Sequence, residues 1–427
     1  MNPFILLYAL FMSPLGLIVT VLGKFVPSLR EQASHRYLSG KKLRNLERIR
    51  SVKSDCQVFF ASSAGEYEQA RPLIRRALQA NPRLFPVIIF FSESGFRFAK
   101  AQGETLTYIK APWDDLFHWY RLFKVLKPSK TFVVRYELWP AFLSVAKSWG
   151  PLYLVNGVAS PSLEGKGIGS WLRSKLLRYF DQIFLVSESD QQFFENQFKS
   201  SSDILSVVGD SKYDRVRERI SERQGQLQEL SGKLSKSWPR KKRFIIGSAW
   251  HEDVKVFIDG FKLWAERMDE WQVIIAPHDI SLEMVQWIVG YCQEQGLSVC
   301  TYSNLDSLGE QHQVLIVDAL GILPELYGCV DVAMVGGAMH HRVHNVLEPA
   351  VRGLSLSFGP RYHTSKEAVL LVDKGLGQVL HSPEELFTWW SSLSVEPGSK
   401  NPTIMAQVKE LCGASDAIMQ KLEIGQN

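Results

Sequence analysis

Gln57-Val-Phe-Phe-Ala-Ser62, followed by Ser63-Ala-Gly-Glu66 and the run Glu68–Ala80, decides the fold. The first six residues are apolar on both alternating faces, as in a parallel strand covered on both sides. Ser63–Glu66 reads as a turn. Over Glu68–Ala80 the positions Ala70, Leu73, Ile74, Ala77 and Leu78 recur at helical spacing and form one apolar stripe. Pro72 falls in the first turns, where proline is tolerated. A buried strand, a short turn and an amphipathic helix are the repeating half of a βαβ unit. Glu66 is thereby placed at the carboxyl edge of the strand, where open α/β sheets bind ligands. A carboxylate there either takes a proton from an attacking hydroxyl or complements the helix dipole, and the local sequence leaves both open.

The same unit recurs toward the C-terminus. Strands are predicted at Pro86–Phe91, Thr131–Val134, Leu152–Val155, Gln182–Val186 and Ile204–Val208, with a helix at Phe117–Leu126. Polar residues stand just past the strand ends: Glu66, Arg135, Glu137, Asn156 and Lys212. The stretch Asp214–Arg243 is polar and charged and reads as an exposed helix plus linker. A second series follows at Arg243–Glu252, Val273–Asp279, Val314–Asp318 and Val332–Val335. Two doubly wound, Rossmann-like domains facing a cleft are therefore expected. After Val335 comes Gly336-Gly337, then a polar loop, then Asn345 and Glu348. Glycines allow close approach of a ligand, and a helix capped by Asn345 with Glu348 three residues on would offer its N-terminus to an anion. An ordinary strand–loop–helix turn is the other reading. Thr403–Leu422 is expected to form one helix packing back on the body.

Composition fits a globular chain of 427 residues, with 45% hydrophobic and 22% charged residues. The net charge of +5 makes no case for nucleic acid. Five scattered cysteines with no C-x-x-C pair fit a reduced compartment without disulfides or a zinc site. His340, His341 and His344 have no carboxylate or cysteine partner at zinc spacing, so no metal is expected. P-loop, G-x-S-x-G and G-x-G-x-x-G signatures are missing, which disfavours ATPase, serine hydrolase and NAD enzyme. Phe4–Gly23 carries no charge and matches the length of a membrane-spanning helix, although Pro14 could kink it. Lys24, Arg30, Arg36, Lys41, Lys42, Arg44, Arg48, Arg50 and Lys53 follow, placing the rest of the chain on the cytoplasmic side. A lipid substrate would be presented at that surface.

Taken in order, Ala61-Ser-Ser-Ala-Gly-Glu66, Glu137-Leu-Trp-Pro140, Gly209-Asp-Ser-Lys-Tyr-Asp214, Ser248-Ala-Trp-His-Glu252 and His344-Asn-Val-Leu-Glu-Pro-Ala350 resemble bacterial 3-deoxy-D-manno-octulosonic acid (Kdo) transferases over nearly the whole chain. The resemblance implies a GT-B glycosyltransferase, anchored at the inner membrane with its catalytic domains on the cytoplasmic face. It would transfer Kdo from CMP-Kdo to a lipid A precursor with inversion, without a cofactor or metal. It further implies Glu66 as general base and Lys212 as a transition-state residue. His278 and Asp279, Leu320-Gly321-Ile322, and Asn345-Val346-Leu347-Glu348 fall on the CMP-binding positions. Departures mark a divergent member. Arg135 replaces the first carboxylate of E-T-E-L-W-P, leaving Glu137 to act in its place or Arg135 to act by another route. Pro277-His278-Asp279 replaces P-R-H, Leu320-Gly321-Ile322 replaces M-G-E, Arg342-Val343 replaces a glycine pair, and Asn156-Gly-Val-Ala-Ser160 replaces N-A-R-L-S. The expected organisation is an anchor at 1–25, a basic segment at 26–52, an acceptor-binding domain at 53–214, a linker at 215–242, a nucleotide-sugar domain at 243–400 and a returning helix at 401–427. The alternatives are a GT-B transferase using another nucleotide sugar, and a degenerate tethered protein that binds CMP or lipid without turnover.

Overall fold

The computed structural model describes residues 39–424 except 54, 136, 160–166, 199–201, 240 and 264–269, and scattered positions between 8 and 26. Most of the expected span at 4–23 lies outside the described residues. Among the described residues no helix is long and apolar enough to cross a membrane. The chain divides into two compact units, residues 1–215 with 411–427, and residues 216–410.

The N-terminal unit is one parallel sheet of seven strands: β1 (Asp55–Phe60), β2 (Leu84–Phe90), β3 (Thr107–Lys110), β4 (Lys130–Val134), β5 (Leu152–Gly157), β6 (Gln182–Leu185) and β7 (Leu205–Val207). Their order is β3-β2-β1-β4-β5-β6-β7. Between and around the strands run α1 (Gly40–Ser51), α2 (Ala64–Ala80), α3 (Glu93–Ala101), α4 (Leu116–Leu126), α5 (Pro140–Trp149), α6 (Ile168–Leu177) and α7 (Glu188–Phe198). Both sheet faces are covered, which is why the strand sequences are apolar without alternation. Val58, Phe60, Val87, Ile89 and Val133 pack into one core layer, and the intervening Phe59, Ile88, Phe90, Phe132 and Val134 pack into the other.

α8 (Ser211–Glu222) carries the chain into the second unit, and α9 (Gln224–Ser237) follows it, so most of the segment read as a linker is helical. The second sheet comprises β8 (Lys242–Ala249), β9 (Trp271–Pro277), β10 (Val299–Thr301), β11 (Val314–Ile316), β12 (Val332–Val335), β13 (Ser355–Phe358) and β14 (Gly377–Val379). Their order is β10-β11-β9-β8-β12-β13-β14, again all parallel. Its helices are α10 (His251–Lys262), α11 (Leu282–Glu294), α12 (Leu323–Leu326), α13 (Leu347–Val351), α14 (Lys366–Asp373), α15 (Pro383–Ser392) and α16 (Pro402–Leu411).

In each sheet the winding direction reverses once, between β1 and β4 and between β8 and β12. Such a switch point leaves a crevice at the carboxyl ends of the strands, since the helices leaving them go to opposite faces. The final segment is two helices rather than one. α16 buries Ile404 and Val408 in the C-terminal unit, the chain breaks at Cys412-Gly413, and α17 (Ala414–Ile424) buries Ile418 and Leu422 in the N-terminal unit.

Candidate active site

At the switch point of the N-terminal sheet, Ser63 caps α2 by accepting from Glu66 N at 3.3 Å, and Glu66 Oε2 accepts from Ser62 N at 2.5 Å. This reciprocal cap starts the helix at Ala64, not Glu68, and holds the Glu66 carboxylate at the end of β1. Burial, aided by the nearby Glu137, pushes the Glu66 carboxyl up from 4.5 to about 7. The Ser62 and Ser63 N–H groups and Arg135 act in the lowering direction. Glu137 itself accepts from Trp139 Nε1 at 2.6 Å.

Arg135 follows β4 with a φ of 63°, and Asn156, in β5, has a φ of 55°. Left-handed backbone at non-glycine residues is uncommon and gathers at ligand-binding edges. Arg135 Nε donates to Gln69 Oε1 at 3.0 Å. Asn156 Nδ2 donates to Ser211 Oγ at 2.6 Å, and Ser211 Oγ donates to Gln69 O at 2.6 Å. These buried bonds pin the first turn of α8, and so Lys212, beside α2. Lys212 Nζ pairs with Asp210 Oδ2 at 3.2 Å. Glu137 and Arg135 thus both act electrostatically on Glu66, and Lys212 is tied to Arg135 through Ser211 and Gln69. Elsewhere in this unit a cavity of about 500 Å³ opens beside α1, α3 and β3, with Leu46, Phe96 and Ile109 among its apolar lining and Lys42 and Lys100 among its charges.

The C-terminal switch point corrects the reading of the glycine loop. Gly337 N and Met339 N donate to the carboxylate of Asp253, at 2.7 and 3.4 Å, and Trp250 N donates to it at 2.9 Å. Asp253 is fully buried, and burial pushes its carboxyl up despite these three donors. A Cβ on Gly336 would lie 2.5 Å from Ser248 O. The glycines therefore serve close packing against β8 and α10 rather than approach by a ligand. The helix expected from Asn345 begins at Leu347, with Val346 as its cap, and runs five residues. Asn345 Oδ1 accepts from Leu347 N at 3.0 Å, so no capping box forms with Glu348. Glu348 instead pairs with Arg219 Nη1 at 3.2 Å, and burial pushes its carboxyl up. One short turn of helix does not make an anion site.

Val346 and Leu347 are core residues, which leaves only their backbone available. Leu320 is 76% exposed. Gly321 O accepts from Arg223 Nη1 at 2.9 Å, and Gly321 and Ile322 line a groove of about 260 Å³ with Arg223, Glu325 and Tyr302. Asp279 is exposed and accepts from Ser281 N at 3.0 Å. His278 stacks on Trp250 and His344, with ring centroids 4.8 and 4.3 Å apart. Sequence alone gives no role to Trp250, Asp253, Gln69 or Arg219, and it names His344 only among histidines lacking metal partners and at the head of one motif. Asp253, three residues after the helix-capping position, carried a readable signal, but its loop partners did not.

The sequence profile of the 3-Deoxy-D-manno-octulosonic-acid transferase (kdotransferase) family matches residues 35–215. The chain is 28% identical over 353 residues to a 3-deoxy-D-manno-octulosonic acid transferase of Chlamydia muridarum, covering 80% of this chain and 79% of that one. It is 25% identical over 346 residues to the transferase of the same name from Aquifex aeolicus, covering 80% of this chain and 86% of that one. In fold it is similar to the UDP-GlcNAc 2-epimerase of Neisseria meningitidis, with a TM-score of 0.57 at 12% identity over 86% of this chain and 99% of that one. That likeness concerns architecture, while the profile and the relatives make the chain similar in sequence to Kdo transferases, through residues 35–215 in the profile and over most of the chain in the relatives.

Proposed function

We propose that this chain is an inverting GT-B glycosyltransferase that moves Kdo from CMP-Kdo to a lipid A precursor in lipopolysaccharide synthesis, at the cytoplasmic face of the inner membrane. The observation that carries the proposal is Glu66, a half-buried carboxylate with a pKa of about 7 at the switch point of a sheet lying within the family match. A general base works best when its pKa lies near the operating pH. Glu66 takes the proton from a sugar hydroxyl of the acceptor as that oxygen bonds to the Kdo anomeric carbon. The bond from that carbon to the CMP phosphate oxygen breaks, and CMP leaves with the electron pair. Arg135, Glu137 and Lys212 set the charge around the base. On the C-terminal unit the nucleotide is assigned to His278 and Asp279, to the edge at Leu320, Gly321 and Ile322, and to Asn345–Glu348. Glu348 would hold the ribose hydroxyls with whatever accepting capacity its contact with Arg219 leaves. The basic, apolar-lined cavity beside α1 suits an amphiphilic, anionic acceptor. Membranes holding the chain, incubated with CMP-Kdo and a tetra-acylated lipid A precursor, are expected to yield a product heavier by whole Kdo units in the mass spectrum. CMP-Kdo left intact with an unmodified acceptor, in membranes that support a known Kdo transferase, would overturn the proposal.

A further inference from the structure

The loop after β12 gives an external anion little backbone to bind. The N–H groups of Gly336, Gly337, Met339, His341, Val343 and His344 all donate within the protein. An anion at this edge must therefore be met by side chains. Trp250 and His344 are joined edge to edge, with the indole Nε1 donating to His344 Nε2 at 3.1 Å. An indole N–H can only donate, so His344 Nε2 carries no proton, and the neutral ring bears its hydrogen on Nδ1. A protonated ring would set two N–H groups against each other. Burial, aided by His278, Arg342 and His341, lowers the His344 pKa from 6.5 to about 4, so the ring is neutral under ordinary conditions. The Cδ2–Nε2 edge faces Gly337, where a Cβ would lie 2.7 Å from Cδ2. His278 stacks across both rings and fixes their plane. Arg342 supplies a positive charge on the same exposed loop as His340 and His341, Glu252 lies 3.5 Å from His340, and Asp253 is turned to backbone N–H groups.

We propose that Trp250 is a positioning residue that holds His344 as the neutral Nδ1–H tautomer, so that Nδ1–H donates to a phosphate oxygen of the donor nucleotide at the C-terminal switch point. The identity of the ligand rests on the proposed function, whereas the tautomer does not. A histidine free to titrate would change its donor pattern as pH falls through its pKa, and the indole bond prevents that. The phosphate contact thereby falls to a neutral donor, reinforced by Arg342, which is exposed on the same loop.

Two measurements on the full chain test this. In 15N spectra of histidine-labelled protein, with His344→Gln identifying the signals, His344 Nε2 is expected to stay unprotonated from about pH 5 to 8. Trp250→Phe is expected to make that ring titrate inside the window. A His344 ring that titrates there in the wild type overturns the lock. Calorimetry with CMP, and with cytidine as the phosphate-free probe, tests the contact. Trp250→Phe and His344→Phe are expected to weaken CMP roughly 10- to 100-fold, the loss for a hydrogen bond to a charged group, without changing cytidine binding. His344→Gln, which keeps an N–H donor, is expected to retain more affinity than His344→Phe. Equal CMP affinity in wild type and His344→Phe overturns the phosphate contact. A wild type that shows the locked tautomer yet binds no CMP overturns the donor assigned above, and the contact with it.

Discussion

Glu66 is held between opposing effects, and each can be removed separately. Burial and Glu137 favour the protonated acid, while two backbone N–H groups and Arg135 favour the carboxylate. A base must be ionised to act, so kcat/KM is expected to rise with pH through about 7, the pKa of Glu66. Glu137→Gln removes a negative neighbour, so the acid limb of the profile should move to lower pH. Arg135→Gln removes a positive one, so the limb should move to higher pH. Glu66→Gln should lower turnover at least ~100-fold and abolish the limb. A pH–rate profile indifferent to all three changes would show that Glu66 is not the base. The placement of these residues was legible in the sequence, because a strand end fixes where the following side chains stand. Their coupling was not legible. Gln69, which accepts from Arg135 and whose carbonyl accepts from Ser211, is an interior helical glutamine in the sequence, and only tertiary structure brings its partners to it.

At the scale of the element, the loop from Gly336 to Asn345 shows how one local pattern supports two physical explanations. Paired glycines before a helix suit a ligand cradle, and they equally suit a backbone pressed against a neighbouring strand. The partner decides: a single carboxylate, Asp253, gathers the N–H groups of Gly337 and Met339 at the start of the loop and that of Trp250. Sequence could not choose, since Asp253 lies 84 positions from Gly337. The packing explanation makes a comparative prediction. Gly337 has a φ of 94° and no room, since a Cβ would be driven into the Arg342 carbonyl and against His344. Gly321 has a φ of 82° but open space around its Cβ direction. Gly321→Ala should therefore lose about 1 kcal/mol from backbone strain alone. Gly337→Ala should lose about 3 kcal/mol or more, since a steric clash is added to the strain. Denaturant unfolding of the two variants checks the order, and equal losses would argue against packing as the reason for Gly337.

For the whole molecule, the two doubly wound sheets were legible because their central strands are long apolar runs covered on both faces. Of the four edge strands, β7 is foreshadowed by Ile204–Val208, whereas β3, β10 and β14 are three or four residues long and mixed in polarity and left little trace in the sequence. The return of the chain end was legible only as a helix. That α16 belongs to one unit and α17 to the other depends on Asp214, which is fully buried. Its carboxylate accepts from Gly413 N at 2.5 Å and from Ser415 N at 2.8 Å, so the chain end is bound where the first unit ends. Arg76 adds an ion pair to Asp416 at 2.5 Å, on the surface and of small worth. Ile418 and Leu422 are nearly fully buried. Removing residues 413–427 would leave a buried carboxylate without those N–H donors and expose the core layer beneath α17. Two large apolar side chains contribute roughly 2 kcal/mol each, and an orphaned buried acceptor costs about as much again, so a loss of about 6 kcal/mol in the N-terminal unit is expected. Asp214→Ala in the full chain should lose less, because α17 still covers the core. Scanning calorimetry, with CMP binding as the reporter of the C-terminal unit, separates the effects. Truncation should bring one transition down by many degrees while CMP still binds. An unchanged N-terminal transition would mean that α17 does not stabilise that unit.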